Sequence, residues 1–185
     1  RSSAASDVYK RQTSSGKTEV YIHLIKQALD NHKQVLYLLP EIALTVQIME
    51  RLHKVFGDRL GIYHSKYSDA ERVEIWQKQM SAHPYDVILG ARSAVFLPFQ
   101  NLGLVIIDEE HETSFKQQDP APRYHARSAA IVLAGMYPDC KVLLGTATPS
   151  MESYYNAQEG KYGLVELKTR YKDIQLPEIQ VVDVK

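Results

Sequence analysis

The chain has 185 residues, 44% of them hydrophobic and 24% charged, which fits one soluble α/β domain able to bury a substantial core. Lys plus Arg and Asp plus Glu both number 22, so overall charge gives no sign of a nucleic-acid partner, and any such surface must be a local patch. No apolar run approaches the roughly 18 residues of a membrane span, and the single cysteine, Cys140, excludes an internal disulfide or a cysteine-built zinc cage within this segment. A cytoplasmic location, no membrane partner and a packing role for Cys140 are the expectations.

Residues Arg1 to Gln12 are mostly small and polar with no apolar period, and read as a non-native or disordered leader. Asp7-Val8-Tyr9-Lys10 makes a poor buried strand, so the strand that should feed the following glycine loop is expected to be missing, leaving the chain marginally stable or self-associating. From Lys17 to about Asn31, Val20, Leu24 and Ala28, and likewise Tyr21, Ile25 and Leu29, fall four apart and predict a helix opening directly from that loop. Val35 to Leu39 reads as a strand covered on both faces, and Leu44, Ile48, Leu52 and Phe56 mark a second helix. Leu60 to Tyr63 is a short strand.

Ser68, with Glu71 three positions on, is a capping-box signature for a helix carrying Ile75, Trp76 and Met80, the last two read as core. Asp86 to Leu89 and Leu104 to Ile107 are further strands, the latter ending abruptly in Asp108, Glu109, Glu110 and His111. After a polar loop come a helix over Ala126 to Met136, a strand over Lys141 to Leu144 and the turn Gly145 to Ser150; Leu164 to Leu167 and Ile179 to Val184 are strand-like runs read as a sheet edge or an exit toward another domain. Alternation of this kind means a mostly parallel sheet with helices on both faces.

Three segments carry chemistry. In Thr13-Ser14-Ser15-Gly16-Lys17-Thr18 small residues let backbone N–H groups curl around phosphate, Lys17 can reach terminal phosphates, and Thr18 can ligate magnesium; the glycine expected with four residues between it and Gly16 is replaced by Arg11. Taken alone, the segment is equally an ordinary helix start. At the end of a buried strand, Asp108 would hold magnesium and Glu109 polarise an attacking water, where the plain alternative is a solvated turn. Thr146 and Thr148, in the turn after the next strand, carry hydroxyls able to bond the acidic run and report on a γ-phosphate.

The segments TSSGKTEVY (Thr13 to Tyr21), LPEIALT (Leu39 to Thr45), GARSAVFLPF (Gly90 to Phe99), DEEHE (Asp108 to Glu112), SFKQQDPAPRYHAR (Ser114 to Arg127) and LGTATPS (Leu144 to Ser150), in this order, resemble the successive motifs of the primosomal protein N′ (PriA) replication-restart helicases of superfamily 2. Arg11 and Ser14 stand where that family has glycine. The resemblance implies the first RecA-like P-loop NTPase lobe of a 3′-to-5′ DNA helicase that binds ATP and Mg²⁺ and reloads the replication machinery, with primosome and replication-restart proteins as partners. The lobe would cover residues 13–163, with 164–185 leading toward a second lobe. The family's zinc site lies outside this segment.

By the same resemblance Ser14, Ser15, Gly16, Lys17 and Thr18 match the nucleotide cradle, Thr18 and Asp108 the magnesium positions, and Lys17, Asp108 and Glu109 the catalytic positions. His111 matches the position coupling hydrolysis to DNA. Pro40, Glu41, Arg92 and Ser93 match segments facing DNA or relaying its presence, as does the Phe115 to Arg127 loop with Lys116, Arg123, Tyr124 and Arg127. That loop also interleaves aromatic and basic groups in a manner suited to base stacking and phosphate contact. A solvated loop packing its aromatics inward fits the residues equally well. A different class of function is a non-catalytic DNA-binding or scaffolding fragment whose nucleotide site is disabled by Arg11; a small P-loop kinase is disfavoured, since the threonine turn and the aromatic-basic loop have no obvious use there.

Overall fold

The computed structural model describes residues 6–10, 16–64 and 66–167. In chain order the elements are β1 (Ser6–Lys10), α1 (Lys17–Asp30), β2 (Gln34–Leu38), α2 (Val46–Phe56), β3 (Leu60–Tyr63), α3 (Asp69–Met80), β4 (Val87–Gly90), β5 (Leu102–Asp108), α4 (Ala126–Gly135), β6 (Lys141–Thr146), α5 (Met151–Gln158) and β7 (Tyr162–Glu166). The strands form one seven-stranded sheet in the order β3-β4-β2-β5-β6-β1-β7. All pairings are parallel. Their carboxyl ends therefore share one edge of the sheet, the edge at which parallel α/β folds bind ligands.

Successive side chains of a strand point to opposite faces, so the continuous apolar runs divide between two cores. Leu104 and Ile106 of β5, with Val35 and Tyr37 of β2, pack under Tyr21, Ile22, Ile25 and Leu29 of α1 and Leu52 and Phe56 of α2. Val105 and Ile107, with Leu36 and Leu38, pack on the other face against Ile75 of α3, Ala126, Ala130 and Ala134 of α4, and Cys140. Small residues on α4 let that helix lie close to the sheet, and Cys140, 2% exposed, is a packing residue as expected. Each fully buried aliphatic side chain contributes about 1.5–3 kcal/mol of transfer free energy, so the two cores hold the carboxyl edge rigid from both faces.

Two expectations are corrected. The position between β6 and the edge strand is filled by Ser6–Lys10, whose backbone pairs with β6 on one side and β7 on the other, so the sheet does not lack this strand. With both neighbours paired, the ground for expecting an exposed central edge is gone. Trp76 and Met80 are 45% and 65% exposed, because Ile75 and Gln79, four apart, define the buried face of α3 and turn Trp76 and Met80 away from it. The capping box at Ser68 and Glu71 forms as expected, with Glu71 N–H donating to Ser68 Oγ and Ser68 N–H to Glu71 Oε2. The strand-like run from Ile179 to Val184 lies outside the described residues, while the run from Leu164 to Leu167 coincides largely with the edge strand β7.

Candidate nucleotide site and its surroundings

The helix α1 begins at Lys17, immediately after Gly16, whose φ of 74° is one that side-chain-bearing residues rarely adopt. Among the described residues no side chain caps this N-terminus. That leaves the helix end, with its partial positive charge, turned toward the carboxyl edge of the sheet. Lys17 is 8% exposed, and Thr18, one position on, is half-buried. Ser14 and Ser15 of the expected cradle, and Arg11, lie outside the described residues.

Asp108 closes β5 in register with Gly145 of β6, and Lys10 of β1 stands in register with Thr146, so three strands bring their ends side by side. The Lys17 ammonium lies 3.0 Å from Asp108 Oδ1 and 2.6 Å from Glu109 Oε1, joining residues far apart in sequence. Asp108 Oδ1 also accepts from the Tyr21 hydroxyl at 3.0 Å and from the Glu109 N–H at 3.0 Å. Burial pushes the Asp108 carboxyl above the ordinary carboxylate value, and Lys17 works against that shift by Coulomb attraction and hydrogen bonding. Tyr21, fully buried, is held protonated by its own burial and then by the nearby Asp108 charge, and so remains a donor.

Past Asp108 the backbone turns sharply: Glu109 has φ of 50°. The next two side chains then diverge. Glu110, 1% exposed, points inward and accepts from Arg127 Nη1 at 2.7 Å, Ser150 N–H at 2.7 Å and Ser153 Oγ at 3.0 Å. His111 faces the threonine turn, with Nδ1 2.8 Å from Thr146 Oγ1, which in turn accepts from the Thr148 N–H at 3.0 Å. Of the two threonine hydroxyls, that of Thr146 thus meets His111, while Thr148 takes part through its backbone N–H.

The segments expected to face nucleic acid leave from the same edge. Pro40 and Glu41 follow β2, Pro40 buried and Glu41 exposed; Arg92 and Ser93, both half-buried, follow β4, and Arg92 Nη1 donates to the Ser114 carbonyl at 3.1 Å. In the aromatic-basic loop the residues divide. Lys116 and Arg123 are exposed, and Tyr124 makes an edge-to-face contact with Phe96 at 4.7 Å between ring centroids. Phe115 is fully buried in the core and offers no face for a base. Arg127, with 12% of its side chain exposed, is engaged by Glu110 and by Glu152 at 2.6 Å, so its guanidinium is committed within the chain rather than presented to a phosphate.

Sequence reasoning missed the site roles of Tyr21, Glu110 and Gly145. A Cβ at Gly145 would stand 1.8 Å from the Tyr21 hydroxyl, so glycine there is what admits the tyrosine to Asp108. The signal was a tyrosine on a helix face otherwise made of aliphatics, one turn beyond the lysine. Among the described residues no group of three or more His, Cys, Asp or Glu is placed to hold a metal ion, and no helix is long and apolar enough to cross a membrane.

The replication restart protein PriA of Bacillus subtilis (strain 168) is 44% identical over 173 residues, an alignment covering 94% of this chain and 21% of that protein. That of Rickettsia felis is 47% identical over 174 residues, covering 94% of this chain and 26% of the relative, and that of Chlamydia trachomatis 48% over 158 residues, covering 85% and 21%. The chain therefore spans about a fifth to a quarter of the length of these relatives. Among solved structures, a DEAD box protein from the hyperthermophile Methanococcus jannaschii superposes with a TM-score of 0.64 at 17% identity over 89% of this chain and 46% of its own. RecG bound to a three-way DNA junction gives 0.56 at 22%, over 87% of this chain and 20% of its own. These two likenesses establish the fold, a RecA-like lobe. The DEAD/DEAH box helicase model matches residues 5–157, and the chain belongs to that family.

Proposed function

We infer that this chain is the ATP-binding lobe of a DNA helicase of the replication-restart type, and that Lys17, Asp108 and Glu109 are its hydrolytic centre. The observation that carries the reading is the convergence of one ammonium on two carboxylates at 3.0 and 2.6 Å, at the end of a helix and the end of a buried strand. One cation against two carboxylates leaves an uncompensated negative charge at a partly buried edge, which suits a divalent ion. Thr18 and Asp108 would hold Mg²⁺, and with so few protein ligands the remaining coordination would come from the nucleotide and water, as is usual for this ion. Bound there, magnesium would neutralise charge on the phosphates.

The chain's own groups supply the rest. Gly16 lets the loop turn so that N–H groups at the start of α1 face an anion, and by the family motif Ser14 and Ser15 would be the rest of the cradle. Lys17, now shared between two acids, would turn to the terminal phosphate and free the Glu109 carboxylate to orient and deprotonate water. Tyr21 keeps Asp108 oriented. His111, Thr146 and Thr148 form the link by which the state of the site would be felt across β5 and β6. Lys116, Arg123 and Tyr124, with Arg92, Ser93, Pro40 and Glu41 along the same edge, would face DNA. Arg127 serves inside the fold. Primosome and other restart proteins are the expected partners of the longer protein.

The reading is tested by DNA-stimulated phosphate release from the full-length protein carrying Glu109→Gln. Turnover falls on the order of 10²- to 10⁴-fold while ATP still binds; turnover within twofold of the unaltered protein overturns the assignment.

A further inference from the structure

Glu110 is the most enclosed carboxylate at the carboxyl edge, yet nothing in the hydrolytic reading uses it. Its Oε2 accepts from Arg127 Nη1 at 2.7 Å, Ser153 Oγ at 3.0 Å and Ser150 Oγ at 3.2 Å, and its Oε1 from the Ser150 N–H at 2.7 Å. Its own N–H donates to the Gly145 carbonyl at 3.1 Å. Three elements thus close on one side chain: α4 through Arg127, the turn after β6 through Ser150, and α5 through Ser153. Buried carboxylates persist only with such complete partnering, because an ionised group taken from water is strongly penalised otherwise.

The residue directly before it is strained. Glu109 holds a φ of 50°, a region glycine enters freely and a β-carbon disfavours. Such conformations persist where the surroundings over-determine them. On one side Asp108 is held by Lys17 and Tyr21; on the other Glu110 is fixed at both backbone and side chain. The Glu109 carboxylate meets Lys17 through Oε1 at 2.6 Å and lies 3.8 Å from His111 Nδ1 through Oε2, and Lys17 is the group expected to leave it when nucleotide binds.

We propose that Glu110, clamped by Arg127, Ser150 and Ser153, is a positioning residue that holds Glu109 in its left-handed conformation and so aims the Glu109 carboxylate at the water it activates. The clamp also ties that aim to α4, whose N-terminus continues directly from the loop bearing Lys116 and Arg123. A shift of that loop reaches Glu109 through Arg127 and Glu110 without any contact to the nucleotide. This rests on Glu109 being the hydrolytic acid.

The experiment uses the full-length protein with Glu110→Gln, Ser153→Ala, Arg127→Lys and, as the control for the underlying reading, Glu109→Gln. Backbone amide exchange of residues 108–112 is followed by mass spectrometry without nucleotide, beside kcat and KM for ATP. Glu110→Gln speeds exchange in that segment and lowers kcat about ten- to a hundredfold with KM within about twofold, since misplacing a reacting group by an ångström costs that order in rate. Ser153→Ala, which removes one donor and leaves the helix intact, and Arg127→Lys, which keeps the charge facing Glu110, shift both readouts the same way but less. Unchanged exchange and kcat in Glu110→Gln and Ser153→Ala, with kcat lost in Glu109→Gln, overturn the positioning role alone. Unchanged kcat in Glu109→Gln instead overturns the hydrolytic assignment beneath it.

Discussion

The phenolic oxygen of Tyr21 occupies the space that any side chain at position 145 would need: a Cβ on Gly145 would lie 1.8 Å from that oxygen and 3.0 Å from Asp108 Oδ1. Gly145→Ala therefore forces the tyrosine away from Asp108. We expect a loss of about 1–3 kcal/mol in urea unfolding, the usual range for overpacking, and impaired ATP turnover. The double variant Gly145→Ala, Tyr21→Phe removes the colliding atom and recovers part of the stability. A double variant less stable than the sum of the two single losses would show that the collision lies elsewhere.

Tyr21→Phe by itself deletes a buried hydrogen bond to a carboxylate, worth about 1.5–3 kcal/mol. The same bond helps keep the Asp108 carboxyl ionised against the burial that pushes it up. Without it Asp108 protonates more readily, and the acid limb of the pH profile for ATP turnover moves to higher pH. A profile that stays in place would separate Tyr21 from the titration of Asp108.

Asp108 also sets a pH dependence of folding. In the unfolded chain an aspartate titrates near about 3.9, whereas burial raises the folded value, with Lys17 only partly offsetting it. Between those two values the folded chain keeps a proton that the unfolded chain has shed, so stability falls as pH rises through the window and the deficit persists at neutral pH. Asp108→Asn is accordingly expected to unfold at a urea concentration equal to or above that of the unaltered protein at pH 7, while losing magnesium-dependent nucleotide binding. Clear destabilisation at pH 7 would mean that the ion pair with Lys17 outweighs the desolvation of the carboxylate.

His125 acts in the opposite sense. Burial, followed by the charges of Arg127 and Lys116, lowers its imidazole below the usual value of about 6.5. As pH falls through 6.5 the unfolded chain takes up a proton that the folded chain refuses, and stability drops until the folded value is passed. His125→Gln flattens the stability profile in that window; an unchanged slope between pH 7 and 5 would contradict this.

How much of this was legible depends on whether local pattern or tertiary partners decide each residue. The strand Leu60–Tyr63 and the capping box at Ser68 and Glu71 were read directly, because short-range chemistry specifies them. So was the meeting of Lys17 with Asp108 and Glu109, since a buried strand ending in acids has few places to put them. Ser6–Lys10 was not, because a polar pentapeptide becomes a strand only through the two neighbours that pair with it. The helix α5 escaped notice for a similar reason: MESYYNAQ carries little apolar period, and it is fixed by its Ser150 cap and by Ser153 reaching Glu110. In the aromatic-basic loop, spacing could not tell which groups turn inward. Phe115 fills the core and Arg127 answers a buried carboxylate that no sequence pattern announces.

The most direct test of the whole account is a calorimetric titration of a magnesium-bound, non-hydrolysable ATP analogue into the full-length protein and into its Lys17→Ala variant. The account requires saturable binding by the unaltered protein and at least about a tenfold weaker Kd in the variant, a difference of about 1.4 kcal/mol. Equal affinity in the two, or no binding in either, would contradict a nucleotide site built on Lys17 and the acids it joins.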